Sequence, residues 1–169
     1  MKLFFGLLVA LVSIHMETVG GAKPEVYFSP KGGVTDVVVA ELAKARSSVL
    51  VQAYSFTSAP IAKALVDAHK RGVKIQVILD KSQKTERYSS ATFLANEGIP
   101  PLIDAKHAIA HNKIMIIDHL TIITGSFNFT KAAENSNAEN LLVIQDTDLV
   151  IKYTKNWQEH QKHSDAYTR

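Results

Sequence analysis

Between His111 and Asn128 the chain reads HNKIMIID, HLTIIT and GSFN, and this stretch restricts the fold more than any other. Both apolar runs alternate as strands do, so side chains two apart share a face. His111 and Lys113 then point one way, while Ile114 and Ile116 point into the layer behind. Ser126 and Asn128 form a second pair just past the run Thr121 to Thr124. Asp118, His119 and Leu120 are few enough to be the turn of a hairpin that sets the two pairs side by side. An imidazole, an ammonium, a hydroxyl and a carboxamide would converge there, with no carboxylate among them. Such a patch suits a phosphate: Lys, Ser and Asn donate to its oxygens, and His attacks or carries a proton.

The segments before the hairpin alternate strand and helix. Glu25 to Ser29 is a short strand, stopped by Pro30 and the pair Gly32-Gly33. Thr35 is placed to cap a helix from Asp36 to about Arg46, with Val38, Leu42 and Ala45 on one stripe. Val49 to Phe56 is a strand. Tyr54 and Phe56 lie near its end, within reach of a site there, although such aromatics read first as core. Pro60 sits in the first turn of a helix that runs to Arg71 and stops at Gly72. Val73 to Leu79 is a strand ending at Asp80. Apolar strands in this β-α-β-α-β order need cover on both faces. The expected fold class is therefore α/β, a layered sandwich with a mixed, mostly parallel central sheet flanked by helices. A dinucleotide fold is excluded, because no Gly-rich fingerprint follows any strand.

Lys81 to Arg87 is a polar loop leaving a strand end, where sites of α/β proteins tend to lie. Its Lys81, Lys84 and Arg87 are candidates for holding a substrate backbone, against the plainer reading of a solvated face. A short helix from Ser90 to Asn96 and a strand from Leu102 to Asp104 follow. His107 stands four residues before His111, a helical spacing in an extended context, and no nearby carboxylate completes a ligand set. No metal site is expected. After Asn128 come an Asn- and Ser-rich loop, a strand from Leu141 to Ile144, and a final helix capped by Asp146 or Thr147. That helix reaches about His163 with Leu149, Tyr153 and Trp157 at core spacing.

The amino-terminal segment has the layout of a secretory signal peptide. Lys2 precedes the apolar run Leu3 to Ile14, and Gly20, Gly21 and Ala22 offer small residues for cleavage after Ala22. The run is shorter than the ~20 residues a membrane-spanning helix needs, and an uncleaved anchor is the alternative. Residues 1–22 would be the leader and residues 23–169 a single domain, periplasmic or secreted, with no membrane span in the mature chain. The formal charge of +3 suits nucleic acid or anionic headgroups without selecting either. Cysteine is absent, so an exported form would fold without disulfides.

His111-x-Lys113-x4-Asp118, followed by Gly125-Ser126-x-Asn128, resembles the HKD signature of the phospholipase D superfamily, and of its small single-motif bacterial non-specific endonucleases in particular. The resemblance implies that His111 and Lys113 are catalytic and that Ser126 and Asn128 bind substrate. It implies that Asp118 supports the motif structurally. It also implies a Glu that orients the imidazole, for which Glu139 is the first choice and Glu134 the second. His160-x-Lys162 repeats the dipeptide, but no Asp or Gly-Ser-x-Asn follows at the required distance. With one motif per chain, a homodimer sharing its site at the twofold axis would supply both the attacking imidazole and the acid. The implied activity is cofactor-free, metal-independent hydrolysis of DNA or RNA through a covalent phosphohistidine. A phospholipase D-type lipid hydrolase and a non-catalytic nucleic-acid-binding module are the alternatives.

Overall fold

A computed structural model describes residues 23–168; the expected leader, residues 1–22, lies outside the described residues. An eight-stranded sheet runs through the middle of the domain in the order β1-β7-β6-β5-β2-β3-β4-β8. Its strands are β1 (Glu25–Ser29), β2 (Ser48–Ala53), β3 (Lys74–Asp80), β4 (Leu102–Asp104), β5 (Lys113–Ile117), β6 (Thr121–Gly125), β7 (Glu139–Gln145) and β8 (Asp165–Ala166). Five helices accompany it: α1 (Val34–Lys44), α2 (Ala59–Lys70), α3 (Ala91–Asn96), α4 (Lys131–Asn135) and α5 (Thr147–Lys162). No helix among the described residues is long and apolar enough to cross a membrane.

The layered α/β sandwich with a mixed sheet is thus what forms, but its parallel part is smaller than expected. Parallel pairing is confined to β2–β3 and β3–β4. All other ladders are antiparallel. The reason is local: the three-residue turn at Asp118–Leu120 reverses the chain, β7 then pairs antiparallel with β6, and β1 antiparallel with β7.

Two apolar layers cover the sheet. On one face, Val38 and Leu42 of α1 and Ile61 and Leu65 of α2 pack with Met115 and Ile117 of β5. On the other, Val150 and Trp157 of α5 pack with Ile114 and Ile116 of β5 and Ile122 of β6. Trp157 also donates its indole N–H to the carbonyl of Val51 at 2.9 Å. Strand alternation therefore sends successive β5 side chains into two different cores. This is why the run IMII is apolar throughout rather than amphipathic.

Thr35 does not cap α1. The capping residue is Gly33, in a left-handed conformation at φ 75°. The orphan amides of Gly33 and Thr35 donate to the carboxylate of Glu134 at 3.0 and 2.7 Å. A carboxylate from another element does this work because it takes two amides at once and complements the helix dipole.

Candidate active site

The hairpin register sets both chemical pairs at one end of the strands. Lys113 lies opposite Ala53, the last residue of β2, whereas Ile117 near the turn lies opposite Val49. The start of β5 and the end of β6 therefore lie at the end where the parallel strands terminate. Past β6 the alternation continues: Phe127 and Phe129 are buried in the core, and Ser126 and Asn128 line a cleft. His111, Lys113, Gly125, Ser126, Asn128 and Glu139 together bound about 320 Å³.

Gly125 makes this corner possible. At φ 144° it lies in a region L side chains rarely adopt, and a Cβ would stand 2.3 Å from the carbonyl oxygen of Asn140. That close approach lets the amides of Ser126 and Phe127 both donate to Asn140 O, at 3.1 and 3.2 Å. The Ser126 hydroxyl accepts the Asn140 amide at 3.1 Å, which leaves its own proton to donate into the cleft.

The charges in the cleft are unevenly held. Lys113 is only 7% exposed, and its ammonium donates to the carbonyl of its neighbour His111 at 2.8 Å. No carboxylate among the described residues forms an ion pair with it. Burial pushes the Lys113 pKa down, and the attraction of Glu139 opposes that shift only in part. An ammonium has three donors, so most of its bonding capacity remains open. The Asn128 carboxamide oxygen is buried without a hydrogen bond. A bound anion would accept from the open ammonium donors, whereas the Asn128 oxygen, itself an acceptor, is completed only by a donor such as a hydroxyl.

Tyr54 belongs to this site, although its sequence position reads first as core. Its ring centroid lies 4.6 Å from that of His111, and its face 5.2 Å from the Lys113 ammonium. Phe56, the second aromatic of that strand end, is fully buried and meets Phe129 edge to face.

The remaining expected residues are placed differently. Asp118 sits at the opposite end of the hairpin, where it accepts the amides of Arg46, Ser47 and Ser48 and the Ser47 hydroxyl at 2.8–3.0 Å. Burial works to raise its carboxyl pKa, but these donors outweigh burial and hold it below the usual carboxylate range. Glu139 lines the cleft, but its carboxylate takes the Asn137 amide at 3.2 Å. The expected hydrogen bond from the His111 ring to the Glu139 carboxylate is not formed. Glu134, the second choice, is occupied in capping α1. Lys81, Lys84 and Arg87 lie outside the cleft. Lys81 donates to the carbonyl of His107 at 3.1 Å, and Arg87 stacks on Tyr88.

Residues 38–161 match the family described as "Cardiolipin synthase, PLD-like domain". The chain belongs to the phospholipase D superfamily. A "Phospholipase D" of Rickettsia conorii is 41% identical over 136 residues, which are 80% of this chain and 68% of that protein. A "Mitochondrial cardiolipin hydrolase" of Mus musculus is 33% identical over 69% of this chain and 53% of its own length. Among solved structures, the phospholipase D family member Nuc from Salmonella typhimurium superposes with a TM-score of 0.82 at 39% identity. That match covers 87% of this chain and 99% of Nuc. NucT from Helicobacter pylori gives 0.80 at 26% identity, covering 86% of this chain and 99% of NucT.

Away from the superfamily motif, the structure corrects the reading of His107. A carboxylate does complete a set around it: Asp104, at the end of β4, is fully buried. His160, His163 and His107 place ring nitrogens 2.7, 3.3 and 3.9 Å from its Oδ2. Burial works to raise the Asp104 pKa, but the facing histidines and the Lys106 amide prevail and keep it low. Spacing gave no sign of this cluster, because α5 and the residue that caps its end contribute two of its members from far along the chain.

Proposed function

We propose that this member of the superfamily is a phosphodiesterase that hydrolyses the nucleic-acid backbone, DNA first and RNA as well. The reaction runs without a metal cofactor, at a site shared by two copies of the chain. One observation carries the reading: the exposed His111 imidazole shares a cleft with the buried Lys113 ammonium, which has donors left over. That is a receptor for an anion with a nucleophile at its mouth.

In this reaction a neutral His111 attacks phosphorus as the bond to the leaving oxygen breaks. The partner's His111, protonated, gives its proton to that oxygen. The same imidazole, now neutral, takes a proton from water, which displaces His111 and yields a phosphomonoester. Lys113, Ser126 and Asn128 donate to the non-bridging oxygens as their charge shifts. Two imidazoles on opposite sides of one phosphorus are needed, and one hairpin offers only one. A twofold dimer meets that need.

Nucleic acid is favoured by the cations Lys81, Lys84 and Arg87, which follow the end of β3 at the same strand-end side of the sheet as the cleft. The similarity to Nuc and NucT, each covered over 99% of its length, also supports this reading. Lipid hydrolysis is the second reading, favoured by the names of the Rickettsia and Mus musculus relatives. The proposal includes export, with residues 1–22 removed after Ala22 and residues 23–169 as the active domain. Plasmid DNA treated in chelator, beside choline release from phosphatidylcholine vesicles, tests it. Nicked and linear plasmid without choline release is expected. Choline release without DNA cleavage would overturn the nuclease in favour of the lipid reading. DNA retention without turnover of either substrate would leave a binding module.

A further inference from the structure

We propose that Asp104, His107, His160 and His163 form a binding site for a divalent transition-metal ion, with zinc the ion their chemistry suits. Each residue offers one donor atom, and the four donors lie within 4.8 Å of one another. Three imidazole nitrogens and one carboxylate oxygen are a set zinc takes in tetrahedral geometry at about 2.0–2.2 Å, so the donors would sit about 3.4 Å apart when it is bound. The rings need to close in by only about 1.4 Å from the widest spacing, which side-chain rotation can supply at a loop and a helix end.

The cluster is poorly explained as an ordinary ion pair. Asp104 Oδ1 accepts the Lys106 amide at 3.1 Å, which leaves Oδ2 facing all three rings. Only His160 makes a good hydrogen bond to it, at 2.7 Å. His163 Nε2 is buried and has no hydrogen-bond partner. The ring centroids stand 5.0–5.4 Å apart, too close for three imidazolium charges around a single carboxylate. If the rings are neutral, His160 donates to Oδ2 in the tautomer protonated at Nδ1, but His163 Nε2 still faces the carboxylate without a hydrogen bond. One divalent cation satisfies every member, and the Lys106 amide then becomes the outer partner that orients the carboxylate.

The position defines the role. β4 is three strands along from β5 in the sheet, about 14 Å at the usual strand spacing. Four protein donors leave no open position for substrate, so the ion is structural. It joins β4, the loop carrying His107 towards His111, and the end of α5. His107 is 43% exposed, which provides the entry path. The inference is independent of the proposed nuclease activity, since it is read by binding and not by turnover.

The test uses the untagged chain, stripped with chelator and titrated with zinc alone by calorimetry, then with cobalt(II) for its absorption spectrum. One zinc per chain and a tetrahedral cobalt spectrum are expected. The double substitution His160→Gln with His163→Gln should weaken binding by at least about 100-fold, a loss that even outer-shell changes reach. His111→Ala should bind as the wild type does. In chelator the double variant should melt near the stripped wild type, while zinc raises the melting temperature of the wild type alone. If the double variant does not fold, His107→Ala, at the exposed ligand, replaces it and should weaken zinc binding and shift the cobalt spectrum, because water takes the vacated position. Absence of equimolar binding, binding unchanged in these variants, or binding lost in His111→Ala would each overturn the site.

Discussion

The ring of Tyr54 leans over that of His111 at a tilt of 53°, and its face also meets the Lys113 ammonium. The phenol thus touches both members of the histidine–lysine pair from the end of a neighbouring strand. The cation on its face is stabilised by about 0.5–2 kcal/mol, and the imidazole is limited in the rotamers it visits. Tyr54→Leu should lower kcat by roughly tenfold with a smaller change in KM, and Tyr54→Phe should keep most of the rate. Equal damage from both substitutions would show that the hydroxyl, not the ring, matters.

Replacing His111 by Ala should reduce turnover by roughly 1,000-fold or more while leaving the fold intact, because the side chain is exposed and supports neither core. Thermal unfolding and sedimentation are the controls. Lys113→Ala should cost about 100-fold or more, the usual effect of removing one charge-stabilising donor. Lys84→Ala should only weaken DNA binding and flatten its salt dependence. A His111→Ala variant that kept most of its activity would move the nucleophile elsewhere.

Titration of Lys113 should show its environment. Burial lowers its pKa and Glu139 partly restores it. Followed by nuclear magnetic resonance of the side chain, the ammonium should lose its proton below the range of an ordinary lysine. Glu139→Gln removes the restoring charge and should shift that titration to still lower pH. An unmoved titration would mean that Glu139 does not act on Lys113.

Asp118 makes a separate prediction, one of stability. Its pKa is depressed in the folded state, so its contribution is complete above the ordinary carboxylate pKa and disappears as pH falls through the lower, folded value. Asp118→Asn should destabilise the domain by about 2 kcal/mol at neutral pH, since three amides and a hydroxyl lose a charged acceptor. The gap from wild type should narrow in acid. Denaturant unfolding across pH measures it, and a constant gap would refute the account.

Sharing of the site can be counted. Wild-type and His111→Ala chains, unfolded together in equal amounts and refolded, pair at random. About one quarter of the dimers are then fully wild type. Activity per total protein should fall to about a quarter, whereas independent sites would give about half. Native mass spectrometry of a tagged chain verifies mixing.

What the sequence disclosed and what it hid follow from the range of each interaction. The hairpin, the cleft pairs and the β-α-β-α-β order were legible because strand alternation and turn length act within a few residues. Glu134 capping α1, Tyr54 over His111, and His160 and His163 around Asp104 were not. Each joins segments brought together only by strand order, which periodicity does not encode. The excess of antiparallel ladders was hidden for the same reason: β7 and β1 pair from opposite ends of the chain.

The hairpin lies inside the sheet, with β7 and β1 on one flank and β2, β3, β4 and β8 on the other. Exchange of amide hydrogens begins where strands peel from an edge, at β1 and at the short β8. Met115 and Ile123, paired in the interior, can exchange only when the whole sheet opens. Fraying at either edge therefore leaves Lys113 seated, and a partly unravelled molecule still holds its chemistry in register. Damage that does reach the hairpin is not partial: it abolishes the domain and its reactivity in one event.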